Sequence, residues 1–228
     1  MLTEFASEEE ASETIIKLTV LGESGVGKTN LMNRYFKHSF NAKESPTIGI
    51  ESFAKDLHVM FEYFEGESQV KVEETVLLKG WDTAGQERFR ALTNSIFQGT
   101  DGFVLVYDLT SKDSFDRLDY WTALLKEKLG EQQLNLLLLG NKRDLEEFRR
   151  VSTLDGQSQA QKIGAAFAEV SAMINDENCV DSALDGFVMD IVESKKSSFI
   201  EKHKAKLSLG LSRKLSLKVE TQSTKKCC

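Results

Sequence analysis

Cysteine is nearly missing from this chain of 228 residues: it has three, and two of them are its last two residues. A disulfide framework is therefore excluded as the source of stability. Long apolar runs are missing as well. Stretches such as "LLLL", residues 136–139, fall far short of the roughly 20 apolar residues that a membrane-spanning helix needs. The opening "MLTEFASEEEASE" is acidic, without a basic start and apolar block, so it does not read as a secretory signal. Histidine is scarce too. His38, His58 and His203 are scattered without metal-ligand partners nearby in sequence, and they are given no role. The cytosol is the expected compartment. What remains, 40% hydrophobic and 29% charged residues, is the composition of an ordinary globular protein. Its length suits one good-sized domain with some chain to spare.

The net charge of −7 conceals a division. From Ser194 to Cys228 there are ten Lys/Arg against two acids, a balance of +8. Residues 1–193 hold 19 basic against 34 acidic residues, a balance of −15. An acidic body argues against nucleic acid as its partner, whereas a basic tail suits an anionic surface.

Residues 15–194 alternate short apolar runs with helical patterns, which predicts an α/β domain with a mostly parallel sheet and helices on both faces. "IIKLTVLG" (15–22), "DGFVLVYDL" (101–109), "NLLLLGN" (135–141) and the weaker "AAFAEVSA" (165–172) read as its strands. Leu31, Met32, Tyr35 and Phe36 share a helical face. So do Phe115, Leu118, Trp121, Leu125 and Leu129, and later Val180, Leu184, Phe187, Val188 and Ile191. Between 51 and 80 the period changes to two. Phe53, Leu57, Val59, Phe61 and Tyr63 are odd, "EGES" turns, and Val70, Val72, Val76 and Leu78 are even. That is a β-hairpin with one apolar face and arms longer than the usual ~5–6 residues, so part of it should project. Residues 1–14 read as a solvated acidic extension, and 195–228 as a flexible basic tail without a helical stripe.

Three loops carry chemistry. "GESGVGKT" (Gly22, Glu23, Ser24, Gly25, Val26, Gly27, Lys28, Thr29) follows a strand and opens a helix that continues with Asn30. Glycines let successive N–H groups converge on phosphate oxygens, and the helix N-terminus adds positive potential. Lys28 reaches the outer phosphates, and the Thr29 hydroxyl can ligate Mg²⁺. In "WDTAGQE" (81–87), Asp82 at a strand end is placed to hold Mg²⁺, and the Gly85 N–H to meet a γ-phosphate. "GNKRD" (140–144) identifies the base. Asp144 can accept from the ring N–H and the exocyclic amine of guanine, while adenine presents an acceptor where guanine has that N–H. The Lys142 stem can cover the base, and Asn141 can tie this loop to the phosphate loop. The expected ligand is GTP or GDP.

With GESGVGKT, PTIGI, WDTAGQE, NKRD and EVSA in this order, residues 15–194 resemble the Ras superfamily of small GTPases. "TIGI", "WDTAGQERFRALTNSIFQGTDGFVLVYDLTS" and the final Cys-Cys are similar to the Rab family. The resemblance implies the P-loop GTPase fold, a doubly wound six-stranded sheet, mostly parallel, with one antiparallel edge hairpin lengthened at about 53–79. It implies that Phe40 stacks on the guanine edge, and that Thr47 ligates Mg²⁺ and senses the γ-phosphate. It makes Gln86, with Lys28, the catalytic pair, Gln86 orienting the attacking water, and it puts Ser171 and Ala172 in the last base-contacting loop. Segments 40–50 and 82–98 would be switches ordered by the triphosphate. Unaided hydrolysis in this superfamily runs near 10⁻⁴ to 10⁻³ s⁻¹, and a partner's arginine adds up to ~10⁵-fold.

The resemblance also implies an exchange factor, a GTPase-activating protein and effectors as partners. It adds a prenylation escort and a GDP-dissociation inhibitor. The chain would act as a monomer in vesicle traffic, on the cytoplasmic face of a membrane, through geranylgeranyl groups on Cys227 and Cys228. A second lipid, or the basic tail, would turn marginal binding into stable anchoring. There are departures: Pro46 where serine is frequent, Met173 where lysine is common, and "IFQG" (96–99) for a tyrosine-rich stretch. Two alternatives stand beside the Rab reading: a Ras- or Rho-type signalling GTPase, and a membrane-anchored scaffold that holds nucleotide with little turnover.

Overall fold

The computed structural model describes residues 14–45, 47, 49–65, 68–83, 97–130, 134–174 and 179–208. The chain divides into two compact units, Met1–Val192 and Glu193–Cys228. In the first, the described strands are β1 (Thr14–Leu21), β2 (Ile50–Glu65), β3 (Ser68–Thr83), β4 (Gly102–Asp108), β5 (Leu136–Asn141) and β6 (Ala166–Glu169). They form one six-stranded sheet in the order β2-β3-β1-β4-β5-β6. Only β2 runs antiparallel to its neighbour. The fold is the expected P-loop GTPase fold. The described α-helices are α1 (Lys28–Lys37), the short α2 (Lys112–Asp116), α3 (Leu118–Leu129), α4 (Thr153–Ile163) and α5 (Cys179–Ser194), with a 3-10 turn at Arg143–Phe148.

Both sheet faces are covered, which is why the central strands read as unbroken apolar runs. On one face Phe103, Leu105, Tyr107 and Leu138 join Leu118, Trp121 and Leu125 of α3 and Ala160 of α4 in a buried cluster. On the other, glycines give the helices close access. A Cβ at Gly80 would meet Met32 of α1 at 2.2 Å, and one at Gly102 would meet Ile191 of α5 at 2.5 Å. Local signals set the helix starts: Ser111 and Ser152 each accept a hydrogen bond from the backbone N–H three residues on, at α2 and α4.

The hairpin pairs from Ile50↔Thr83 to Glu65↔Ser68 without a bulge, so the odd residues of β2 and the even ones of β3 share a face. β3 pairs with β1 only from Val76 to Asp82; beyond that the arms pair with each other. This outer half is not a bare flap, because Val59, Phe61, Tyr63 and Val72 are all buried. Met60 and Phe64 point to the opposite face and are exposed.

In the second unit a helix, α6 (Lys196–Ser208), stands where a flexible tail is expected from sequence. The correction has a local cause. The segment lacks a sustained apolar stripe, yet it contains no Gly or Pro and is rich in Lys, interspersed with Ala, Glu and Leu, residues that favour helix without tertiary support. The acidic extension through Glu13 and the residues after Ser208 lie outside the described residues, as do the lipidation candidates Cys227 and Cys228. No helix among the described residues is long and apolar enough to cross a membrane.

Candidate nucleotide-binding site

β1 and its two neighbours place the site. β3 and β4 flank β1 on opposite sides, so the loops at the C-terminal ends of these parallel strands open a crevice, where sheets of this kind bind ligands. A cavity of about 390 Å³ lies there, lined from the phosphate loop (Ser24, Gly25, Gly27) to the base-loop residues Lys142, Asp144 and Met173. Phe40, Asn30, Thr47, Asn141 and Ala172 line it as well.

At one end, the phosphate loop wraps the start of α1. Gly27 has φ 95°, and a Cβ there would lie 2.4 Å from Asn141 Nδ2, so the position admits only glycine without a shift. Gly22 is equally constrained, since a Cβ would meet the Val106 carbonyl oxygen at 2.2 Å. Lys28 is buried and donates to the carbonyls of Gly22 at 2.9 Å and Glu23 at 2.8 Å. Burial pulls its pKa down to about 8, against the opposing pull of Asp82 and Glu23. Glu23 faces away from the cavity. Its Oε1 accepts from Arg117 Nε and Trp121 Nε1, both at 3.2 Å.

Below the loop, three side chains meet. Thr29 Oγ1 donates to Asp82 Oδ2 at 2.5 Å, Thr47 Oγ1 donates to the same oxygen at 3.2 Å, and the two hydroxyls lie 2.7 Å apart. Asp82 is fully buried, and burial raises its pKa above the ordinary carboxylate value despite Thr29 and Lys28. Its Oδ1 is buried without a hydrogen-bond partner. One carboxylate and two hydroxyls form an all-oxygen donor set of the kind Mg²⁺ takes, so the residues present fit that ion.

The other end is a web of loops. Asn141 Nδ2 donates to the Val26 carbonyl at 2.8 Å, while its Oδ1 accepts from the Ala172 N–H at 3.2 Å. One side chain thus ties the phosphate loop to two loops of the base end. Lys142, in left-handed backbone at φ 68°, pairs with Asp108 at 2.7 Å. Ser171 Oγ donates to Asp144 Oδ1 and accepts from the Ile174 N–H, which fixes the carboxylate. Gly85 and Gln86 lie outside the described residues.

The sequence profile of the Ras family matches residues 17–193. The chain belongs to the Ras family. It is 36% identical to the Ras-related protein Rab-11C of Dictyostelium discoideum over 197 residues, covering 85% of this chain and 81% of that protein. It is 33% identical to the Ras-related protein RABA2a of Arabidopsis thaliana over 222 residues, 96% of each. With the Ras-related protein Rab2BV of Beta vulgaris it shares 37% over 172 residues, 75% of this chain and 74% of that one. Within the family the chain is a Rab-like small GTPase, and GTP hydrolysis is its activity. The Ras- or Rho-type alternative is not favoured.

Some features of the GTPase's site have no signature in sequence. Asn30 of α1 exchanges two hydrogen bonds with the backbone of Asn41, at 2.9 and 3.0 Å, and so holds the segment that follows Phe40. Ala42, Glu44 and Ser45 of that segment line the cavity unforeseen, as do Thr83 and Leu145. Arg34 reaches a loop 138 residues away. No local pattern announces a contact of that kind.

Proposed function

We propose that this protein is a GTP/GDP switch of intracellular membrane traffic, in which the cavity holds the nucleotide between Lys28 and Asp144. The observation that carries this reading is the meeting of Thr29, Thr47 and Asp82 at one end of the cavity and of Asp144 and Ser171 at the other. Thr29, Thr47 and Asp82 would hold Mg²⁺, which when bound would neutralise phosphate charge. Lys28 and the N–H groups of residues 23–30 bind the phosphates. Asp144 reads guanine, Phe40 stacks on its edge, the Lys142 stem covers it, Asn141 holds the loops together, and Ser171 and Ala172 belong to the last loop that contacts the base. Gln86 orients the attacking water, and Gly85 senses the γ-phosphate.

Thr47 contacts both Thr29 and Asp82 from a segment that is also held at Asn41 and at the start of β2. That supports a switch whose first segment reports on the phosphate end. Exchange factors, activating proteins and effectors, which Rab proteins use in general, would act on residues 40–50 and 82–98. Geranylgeranyl groups on Cys227 and Cys228, taken to the membrane by an escort and extracted by a GDP-dissociation inhibitor, would fix the place of action.

Single-turnover hydrolysis of GTP and ATP with Mg²⁺, alongside affinity for both, tests the reading. Tight GTP and GDP binding with slow phosphate release is the expected result. Equal affinity for ATP would overturn the role of Asp144. Tight binding without release, even with an activating partner, would leave the nucleotide-holding scaffold.

A further inference from the structure

α1 begins with the phosphate-end ligands and ends near the base. One turn beyond Asn30, Arg34 directs its guanidinium at the loop after β6. Its Nε donates to the Ala172 carbonyl at 2.9 Å and its Nη2 to the Met173 carbonyl at 3.1 Å. Two N–H groups of a rigid fork thus hold two successive carbonyls, a geometry that restricts both the position and the tilt of the loop. The next link is inside the loop. Ser171, one residue before the clamped pair, donates to Asp144 Oδ1, and the Ile174 N–H on its far side donates to the Ser171 hydroxyl. The carboxylate that would pair with guanine is therefore aimed by a loop whose own anchor is Arg34.

The remaining ties of this loop do not replace that anchor. The Val170 N–H donates to the Gly140 carbonyl at 2.8 Å and the Val170 carbonyl accepts from the Arg143 N–H at 3.1 Å, while Asn141 accepts from the Ala172 N–H at 3.2 Å. These fix the start and inner edge of the loop, and the next two carbonyls, of Ala172 and Met173, are the ones that Arg34 holds. Lys37, one turn further along α1, points elsewhere and pairs with Glu51 of β2.

We propose that Arg34 is a positioning residue for base recognition: through the Ala172 and Met173 carbonyls and Ser171 it sets the aim of Asp144, and with it the lifetime of bound guanine nucleotide. The inference rests on the reading of the cavity as a guanine-nucleotide site. Arg34 touches neither phosphate nor metal ligand, so its mark is chemical and confined to the base. Guanine offers Asp144 two donors and hypoxanthine only the ring N–H. A misaimed carboxylate therefore loses more on GDP than on IDP, and the preference between them shrinks.

The experiment measures release of GDP and IDP from the full chain with Mg²⁺, for wild type, Arg34→Gln, Arg34→Lys and, as a control on the same helix, Lys37→Gln. Wild type should release IDP faster than GDP. Arg34→Gln should release GDP about tenfold faster, as expected for the loss of charge-assisted hydrogen bonds, while IDP release changes much less. Arg34→Lys, a single point donor, should fall between, and it carries the test if Arg34→Gln does not fold. Lys37→Gln should match wild type. Equal acceleration of both nucleotides, with their ratio unchanged, would reduce Arg34 to a structural prop and overturn the proposal, as would unchanged release. If wild type itself preferred no guanine nucleotide over ADP, the reading of the cavity would fail instead, and that result is seen before any variant is made.

Discussion

In the proposed function, base selection is concentrated in one carboxylate, that of Asp144, and its surroundings suit that role. Ser171 holds one oxygen, and the residue lines the cavity rather than facing bulk solvent. Two charge-assisted hydrogen bonds to guanine would contribute about 1.5–3 kcal/mol each. Asp144→Asn replaces one acceptor with an amide donor, while xanthine replaces the exocyclic amine of guanine with a carbonyl. The variant should lose roughly 100-fold in GDP affinity and gain affinity for XDP, measured by competition. Retained GDP preference would show that the base is read elsewhere. That Lys28, Thr29, Asn141 and Asp144 gather at one cavity is legible in sequence, because each of the motifs that carry them has fixed residue types within a few positions. The partners that aim those residues are not legible. Ser171 meets Asp144 across 27 positions and Arg34 meets Ala172 across 138, and neither pair leaves a pattern in any window.

The hairpin shows where periodicity stops informing. Alternation at period two predicts both arms and their shared face, and the continuous pairing from Ile50 to Glu65 agrees. It does not predict that the apolar face is buried even beyond β1, since a strand pattern names the face but not what covers it. Phe61 is 5% exposed and Phe64 is 72% exposed, three residues apart on the same arm. Phe61→Ala should therefore cost about 3 kcal/mol in urea unfolding, whereas Phe64→Ala should stay within about 0.5 kcal/mol. Equal small effects would mean that the outer half contributes nothing to the fold. Nearer the body, β2 is locked to α1 and α5. Lys55 lies 3.4 Å from the ring centre of Tyr35, whose hydroxyl donates to Asp185 at 2.7 Å. Burial lowers the Lys55 pKa from 10.5, with Asp185 and Asp181 opposing. Below that lowered value the native and unfolded states both keep the proton, and the burial cost is felt in full. As pH rises from there toward 10.5, the native state releases its proton first, so stability increases. As pH rises toward 10.5 the wild type should gain stability relative to Lys55→Met, by thermal unfolding at each pH. A constant gap would show that Lys55 titrates as it does in the unfolded chain.

Charge separates along the chain as sharply as structure does. Residues 1–193 carry −15, so phosphate binding as proposed would depend on local devices (Lys28, the converging N–H groups, a metal) rather than on a general positive field. The +8 of the remainder is available for a different anion. α6 carries part of it as helix, which sequence alone did not foresee, because Lys-rich stretches without an apolar stripe look the same whether coiled or helical. Near an anionic leaflet each basic residue contributes about 1 kcal/mol, and the proposed lipid chains would hold it within range. Replacing Arg213, Lys214 and Lys218 together by Gln should then weaken binding of the prenylated protein to phosphatidylserine vesicles by up to roughly a hundredfold at low salt. The same change should have little effect on neutral vesicles, and the difference should fade as salt shortens the Debye length. GDP release should not respond, because no residue of the nucleotide site is altered. Unchanged binding to anionic vesicles would assign membrane affinity to the lipids alone and leave the basic residues of the tail to a protein partner.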